Sequence, residues 1–67
     1  MDELGLSERQ KNGILFVKEN GRITNSEYQN VAHVLKREAT RDLAELVEKG
    51  VLIKKGLHGK GVYYVLG

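Results

Sequence analysis

The sequence contains no cysteine, no proline and no tryptophan, and its aromatic residues are one phenylalanine and three tyrosines. Without cysteine, disulfide bonds are excluded, and the two histidines, His33 and His58, are too few to build a metal site. The absence of cysteine is typical of the reducing cytoplasm, so we expect a cytoplasmic protein. A domain of 67 residues buries only about 60% of the surface that its unfolded chain exposes. We therefore expect one domain, residues 1–67, with a small apolar core.

Long hydrophobic runs are also missing. The longest apolar runs, such as residues 14–17, are far shorter than the ~18 residues that a membrane span requires. The first residues, Met1, Asp2 and Glu3, lack the positive charge with which a secretory signal begins. The sequence therefore predicts neither a membrane segment nor a secretory signal.

Acidic residues are absent from the last quarter of the chain, although the net charge is only +2. Residues 51–67 carry three lysines and no acidic side chain, whereas basic and acidic side chains nearly balance elsewhere. A local basic segment on a small domain is typical of proteins that bind a polyanion. The charge pattern therefore indicates a polyanionic partner.

Two capping boxes predict where the first two helices begin. Residues 7–10, Ser-Glu-Arg-Gln, form the first box and open a helix over about residues 8–20. Residues 24–27, Thr-Asn-Ser-Glu, form the second box and open a helix over about residues 25–32. The intervening Arg22 and Ile23 are predicted to form a short extended link.

Apolar spacing indicates which faces of these helices are buried. Ile14 and Val17 lie one turn apart on the first helix, and Tyr28 and Val31 lie on the second. Gly13 weakens the first helix by about 1 kcal/mol relative to alanine. We expect another element to pack closely against this glycine.

A third helix is predicted over about residues 35–49, ended by Gly50. Its apolar positions follow helical spacing and predict a core stripe of Leu35, Ala39, Leu43, Leu46 and Val47.

The chain then changes to a β pattern. Residues 51–55 and 62–66 are rich in β-branched and aromatic side chains and flank a glycine-rich loop, which predicts a hairpin. Tyr63 and Tyr64 point to opposite faces of the last strand, so one of them should close the core. Core packing is the expected role of the pair, and the alternative is that the other tyrosine is exposed and stacks on nucleic acid. The predicted fold class is mainly α with a small β-hairpin (α+β), a three-helix winged helix-turn-helix domain.

Several segments resemble one family of winged-helix domains. They are residues 6–10, 19–28, 39–43 and 48–50, and the Gly-Lys-Gly of residues 59–61 before the two tyrosines. Together they look like the C-terminal domain of predicted bacterial and archaeal transcriptional regulators whose N-terminal part is a Schlafen-type AlbA or ATPase-like domain. Some members are described as helicase-related. The resemblance implies a larger parent protein and binding to double-stranded DNA.

One turn departs from the family pattern. Members usually carry a Thr-Gly-Val-Ser type turn before the third helix, and its serine caps that helix. This chain has Ala32, His33, Val34 and Leu35 there. Because leucine has no capping oxygen, we expect the helix to start a residue or two away from the family position.

The third helix is the candidate recognition helix. Opposite its core stripe, Arg37, Arg41, Ala44 and Glu48 share one face, where guanidinium groups can bind guanine in a major groove. The predicted major-groove residues are Lys36, Arg37, Thr40 and Arg41. The alternative is that both arginines are solvated and pair along the helix with Glu38, Asp42 or Glu45.

The hairpin supplies a second basic surface. Lys54, Lys55, His58 and Lys60 are predicted to contact the DNA backbone or minor groove as a wing. The alternative is that these lysines keep an edge strand soluble and unpaired. Both explanations are compatible.

Enzyme chemistry is not predicted. Gly59-Lys60-Gly61 precedes a strand rather than a helix, which excludes a P-loop. Ser7 and Ser26 lie in capping boxes and have no neighbouring base. We expect no catalytic residue, cofactor, metal or small-molecule ligand.

Two functions follow from the sequence. The first is a double-stranded DNA-binding module of a prokaryotic transcriptional regulator, associated with the nucleoid when bound and partnered by a second copy or by parent-protein domains. The second is a protein-interaction or dimerisation module without DNA binding of its own. The second rests on the neutral charge of residues 31–50 and on Leu15, Phe16 and Leu57, which fall outside the main core faces.

Overall fold

The computed structural model describes residues 5–56 and 61–67. Three helices are followed by an antiparallel hairpin, which confirms the predicted α+β class of three helices and a hairpin. The elements are α1 (Glu8–Asn20), α2 (Asn25–Ala32), α3 (Lys36–Glu48), β1 (Leu52–Lys55) and β2 (Tyr63–Leu66). Within the described part of the chain, no helix has the length and apolar character that crossing a bilayer demands.

The first two helices begin where their capping boxes predict. Ser7 Oγ accepts from the Gln10 amide at 3.3 Å, and the Gln10 side chain accepts from the Ser7 amide at 2.9 Å. Thr24 and Glu27 make the same reciprocal pair at the start of α2. Each box satisfies two helix amides that would otherwise lack a partner, and so it fixes the first helical residue.

The start of α3 departs from the prediction that Leu35 belongs to the core stripe. Leu35 precedes the helix with an extended backbone, and its side chain is 74% exposed. Its predicted core position is therefore wrong, because a residue outside the helix does not continue the helical face. Val34 packs against the core at this turn instead.

The core lies between the three helices and the inner face of the hairpin. Eight buried apolar residues form it, and Tyr28 is the largest of those that are fully buried. They are Val17, Ile23, Tyr28, Ala39, Leu43, Leu46, Leu52 and Tyr64. The Tyr28 ring lies so close to Gly13 that a Cβ there would approach ring carbons to 2.6 Å. This is the close packing that Gly13 predicted.

The hairpin is extended by one residue of the link before α2. Leu52 pairs with Leu66 and Lys55 with Tyr63, while Ile23 exchanges two hydrogen bonds with Tyr64, at 2.9 and 2.8 Å. The link predicted at Arg22 and Ile23 is thus a bridge that makes β2 the central strand. This bridge joins the helices to the hairpin.

The two tyrosines of β2 have different roles. Tyr64 faces the core, whereas Tyr63 is half-buried at the surface with the Arg22 guanidinium 5.3 Å above its ring. Core packing of the pair is therefore wrong for Tyr63, because successive strand residues face opposite sides.

Candidate nucleic-acid interface

A buried polar cluster fixes the orientation of α3. Asp42, only 4% exposed, accepts from Arg9 Nε at 2.5 Å and Nη2 at 3.2 Å, and from the Tyr28 hydroxyl at 2.8 Å. Burial raises the pKa of Tyr28, and the bond to Asp42 raises it further. The hydrogen bonds that Arg9 donates to Asp42, and the negative charge of that carboxylate, raise the pKa of Arg9. One carboxylate of α3 thereby joins α1 and α2.

A second contact directs Glu45 toward α1. Gln10 is buried and donates from Nε2 to Glu45 Oε1 at 2.7 Å and more weakly to the Asp42 carbonyl at 3.5 Å. Glu45 also lies 3.7 Å from the Lys49 ammonium. The acidic side chains on this side of α3, Asp42 and Glu45, therefore bind groups of the protein itself.

The opposite face of α3 is exposed and basic at its N-terminal half. Lys36, Arg37, Thr40, Arg41 and Ala44 are all exposed. Neither arginine makes an ion pair with any residue of 5–56 or 61–67. The alternative partners are engaged elsewhere, since Asp42 binds Arg9, Glu45 binds Gln10, and Glu38 accepts from the Leu35 amide at 3.1 Å. Both guanidinium groups are therefore available to a ligand.

A groove with a volume of about 480 Å³ runs between the start of α2, the start of α3 and the hairpin. It brings Lys36 together with Arg22, a cation from the link before α2. The positive end of the α2 dipole also opens on it. The lining residues are Arg22, Thr24, Asn25, Ser26, Gln29, Lys36, Gly61, Val62, Tyr63 and Tyr64. The groove therefore favours an anion.

Hydrogen bonds hold one wall of this groove rigid. Asn25 Nδ2 donates to Thr40 Oγ1 at 2.9 Å, and Thr40 donates to the Lys36 carbonyl at 2.9 Å. Gln29 Nε2 donates to Asn25 Oδ1 at 2.7 Å. The predicted contact residue Thr40 thus uses its donor within the protein, and its hydroxyl keeps only acceptor capacity for a ligand.

The hairpin lysines are placed beside the groove. Both lysines lie one strand spacing, about 4.8 Å, from the strand that lines it. Lys55 pairs with Tyr63 and shares its outer face, whereas Lys54 pairs with Tyr64 and lies on the other face of the hairpin. Both lysines are exposed. The other two predicted wing residues, His58 and Lys60, lie outside the described residues.

The sequence alone did not identify Arg22, Asn25, Ser26 or Gln29 as site residues. Arg22 stood in a short link, and the other groove residues come from elements distant in sequence. One signal was present, because Asn25, Ser26 and Gln29 make a polar face on α2 at helical spacing. Among the described residues, no group of three or more metal-ligating side chains occurs.

No protein-family model matches this chain, and no characterised protein is significantly similar to it in sequence. The resemblance to winged-helix transcriptional regulators therefore stays a prediction.

Proposed function

We propose that this chain is a double-stranded DNA-binding module of a transcriptional regulator, with a winged-helix mode of binding. The observation that carries the proposal is a set of exposed cations from three separate elements, of which Arg22 and Lys36 line one groove. They are Arg22 before α2, Lys36, Arg37 and Arg41 on α3, and Lys54 and Lys55 on β1.

The N-terminal half of α3 enters the major groove. Arg37 and Arg41 are exposed one turn apart, and each guanidinium can bind O6 and N7 of a guanine with two hydrogen bonds. Ala44 continues this face and allows close approach of the helix. Glu48 lies at the far end of the same face and repels phosphate. The helix therefore inserts by its N-terminal end.

The groove beside α2 receives the DNA backbone. Arg22 and Lys36 both line it, and the N-terminal end of α2 adds a partial positive charge. Lys55, on the outer face with Tyr63, extends this surface across the hairpin to a neighbouring phosphate, and Lys54 reaches the backbone from the other face of β1. These contacts supply affinity independent of sequence, while α3 supplies the base contacts.

The test is a fluorescence-anisotropy titration with a random-sequence duplex of about 20 base pairs at several salt concentrations. Four phosphate contacts, from Arg22, Lys36, Lys54 and Lys55, predict a slope of about −3.6 for log K against log salt. The double variant Arg22→Ala/Lys36→Ala should flatten the slope by about two. Lys18→Ala removes an exposed cation that does not line the groove, and it should leave the slope within a few tenths of the wild-type value. Binding that does not depend on salt contradicts the proposal, as does no binding by the folded protein at low salt.

A second candidate function is supported by an apolar groove on α1. Leu15 is 53% exposed and lines a groove of about 300 Å³ with Leu6 and Ile14, bordered by Lys11 and Lys18. Phe16, predicted to join this patch, packs against the core instead, and Leu57 lies outside the described residues. This groove favours the interaction-module alternative. Sedimentation of the wild type and of Leu15→Glu tests it, because self-association through α1 is lost in the variant.

A further inference from the structure

The start of α3 differs from the starts of the other two helices. Ser7 and Thr24 cap α1 and α2 through their side-chain oxygens, whereas Leu35 has no atom that accepts a hydrogen bond. Only half of a capping box remains, the bond from the Leu35 amide to Glu38. A serine at this position would restore the other half. The leucine therefore weakens the helix start.

Leu35 also contributes little to the core. Its side chain is 74% exposed, more than the other large exposed apolar side chains described, Leu15, Ile53 and Leu66. Its neighbour Val34 makes the apolar contact to the core at this turn. Neither helix capping nor core packing explains a leucine here, so its surface is available to something outside the protein.

The surroundings of Leu35 indicate what that partner is. The next two residues, Lys36 and Arg37, are exposed cations, and Lys36 lines the anion-favouring groove. The leucine lies at the N-terminal tip of the helix, the end at which recognition helices contact base edges. In the major groove the apolar group offered by the bases is the C5-methyl group of thymine.

We propose that Leu35 contacts the C5-methyl group of a thymine in the major groove and makes the module prefer a thymine there. This inference rests on the proposed DNA-binding function and adds one element of its sequence preference. A protein partner is the competing explanation for an exposed leucine. The two cations beside Leu35 favour DNA, because a polyanion is attracted to them while it contacts the leucine.

The experiment begins with selection of preferred duplexes from a random pool by the full 67-residue chain. Each thymine of the preferred duplex is then replaced in turn by deoxyuridine, which lacks only the methyl group. Wild-type binding should weaken about fourfold at one position, the ratio expected for losing one buried methyl group. Leu35→Ser should bind the thymine and uracil duplexes equally at that position. Because serine restores the missing cap, this variant keeps α3 folded.

Leu15→Ala is the matched control, since it removes another exposed leucine, on α1, and should keep the fourfold discrimination. Equal wild-type binding of thymine and uracil at every position overturns the role of Leu35 and leaves the salt-dependent DNA binding intact. Absence of duplex binding by the folded wild type overturns both proposals. If Leu35→Ser still discriminates thymine from uracil, the inference is overturned. If that variant also abolishes a self-association of the wild type, Leu35 is assigned to a protein contact.

Discussion

The inner and outer faces of α3 carry neighbouring charges with opposite roles. Asp42 is buried, and its carboxylate binds Arg9 and Tyr28, whereas Arg41, one residue earlier, is exposed and has no ion pair within the described chain. Burying a charge is costly unless it is paired and hydrogen-bonded, so the inner face must be satisfied. The outer face has no such requirement, and its unpaired cations remain available for a ligand.

This difference shows why a charge pattern along a helix is hard to interpret alone. At helical spacing, Arg41 has two acidic neighbours, Glu38 and Glu45, that look like suitable partners, whereas Arg37 has none three or four residues away. In the structure those acids turn toward α1 or toward the helix start, because the partners that satisfy them are there. Pairing across elements, rather than spacing within one, separates the structural charges from the available ones.

The largest expected effect comes from removing the central carboxylate. Asp42→Ala leaves the buried Tyr28 hydroxyl without an acceptor and Arg9 without its ion-pair partner. Hydrogen bonds to charged groups contribute about 1.5–3 kcal/mol each, so we expect a loss of about 3 kcal/mol. A domain of this size has about 3–5 kcal/mol in total, and the variant should be close to unfolding. Urea denaturation measures the loss.

Arg41→Ala is the control on the other face of the same helix. Its free energy of unfolding should stay within about 0.5 kcal/mol of the wild type. An equal loss of unfolding free energy in Asp42→Ala and Arg41→Ala would contradict the distinction between a structural inner face and an available outer face.

The next effect tests the packing that supports the cluster. Gly13→Ala places a methyl group against the Tyr28 ring, which cannot move away because its hydroxyl is held by Asp42. Overpacking costs about 1–3 kcal/mol and the gain in helix propensity is about 1 kcal/mol, so we expect a net loss of up to about 2 kcal/mol. Asn12→Ala, at the exposed position beside it, should be neutral or slightly stabilising. A stabilised Gly13→Ala protein would show that the ring is not held in place.

High pH should lower the stability of the fold through two buried tyrosines, Tyr28 and Tyr64. Burial raises the pKa of Tyr28 and of Tyr64 above the ordinary tyrosine value of about 10. The unfolded chain therefore releases these protons near pH 10 while the folded chain retains them, so stability is complete below that pH and falls as the pH rises above it. Denaturation midpoints at pH 8, 10 and 11 measure the decline. Tyr64→Phe should reduce the decline, since it removes one of the two groups.

A substitution on the outer face of α3 should change stability less, and it should change DNA binding selectively. Arg37→Ala should leave the unfolding free energy within about 0.5 kcal/mol and weaken binding to a preferred duplex by about 1–3 kcal/mol. Lys18→Ala, tested on the same duplex, should bind as the wild type does. Equal losses in the two variants would mean that the effect of Arg37 is only a general loss of charge.

The helices could be predicted from sequence because their signals are local. The boxes at Ser7 and Thr24 set the first residues of α1 and α2, and glycine in the left-handed conformation at Gly21 ends α1. The start of α3 lacked such a signal, and extending its apolar stripe to Leu35 placed an exposed residue in the core.

The site was only partly predictable because it combines distant elements. The cations of α3 could be predicted because they belong to one helix. The groove, in contrast, forms only where Arg22, α2 and β2 meet Lys36. Likewise, the partner of Asp42 is Arg9, which lies on another helix. No spacing rule within one element identifies either arrangement.

The most direct test of the proposed interface is an amide chemical-shift titration of the isotope-labelled protein with a 20-base-pair duplex. We expect the largest shifts at the N-terminal half of α3, at the start of α2 and along the strands that carry Lys54, Lys55 and Tyr63. The outer face of α1 around Leu15 should change little. Shifts centred on Leu15, with α3 unchanged, would contradict the assignment of the basic face to DNA.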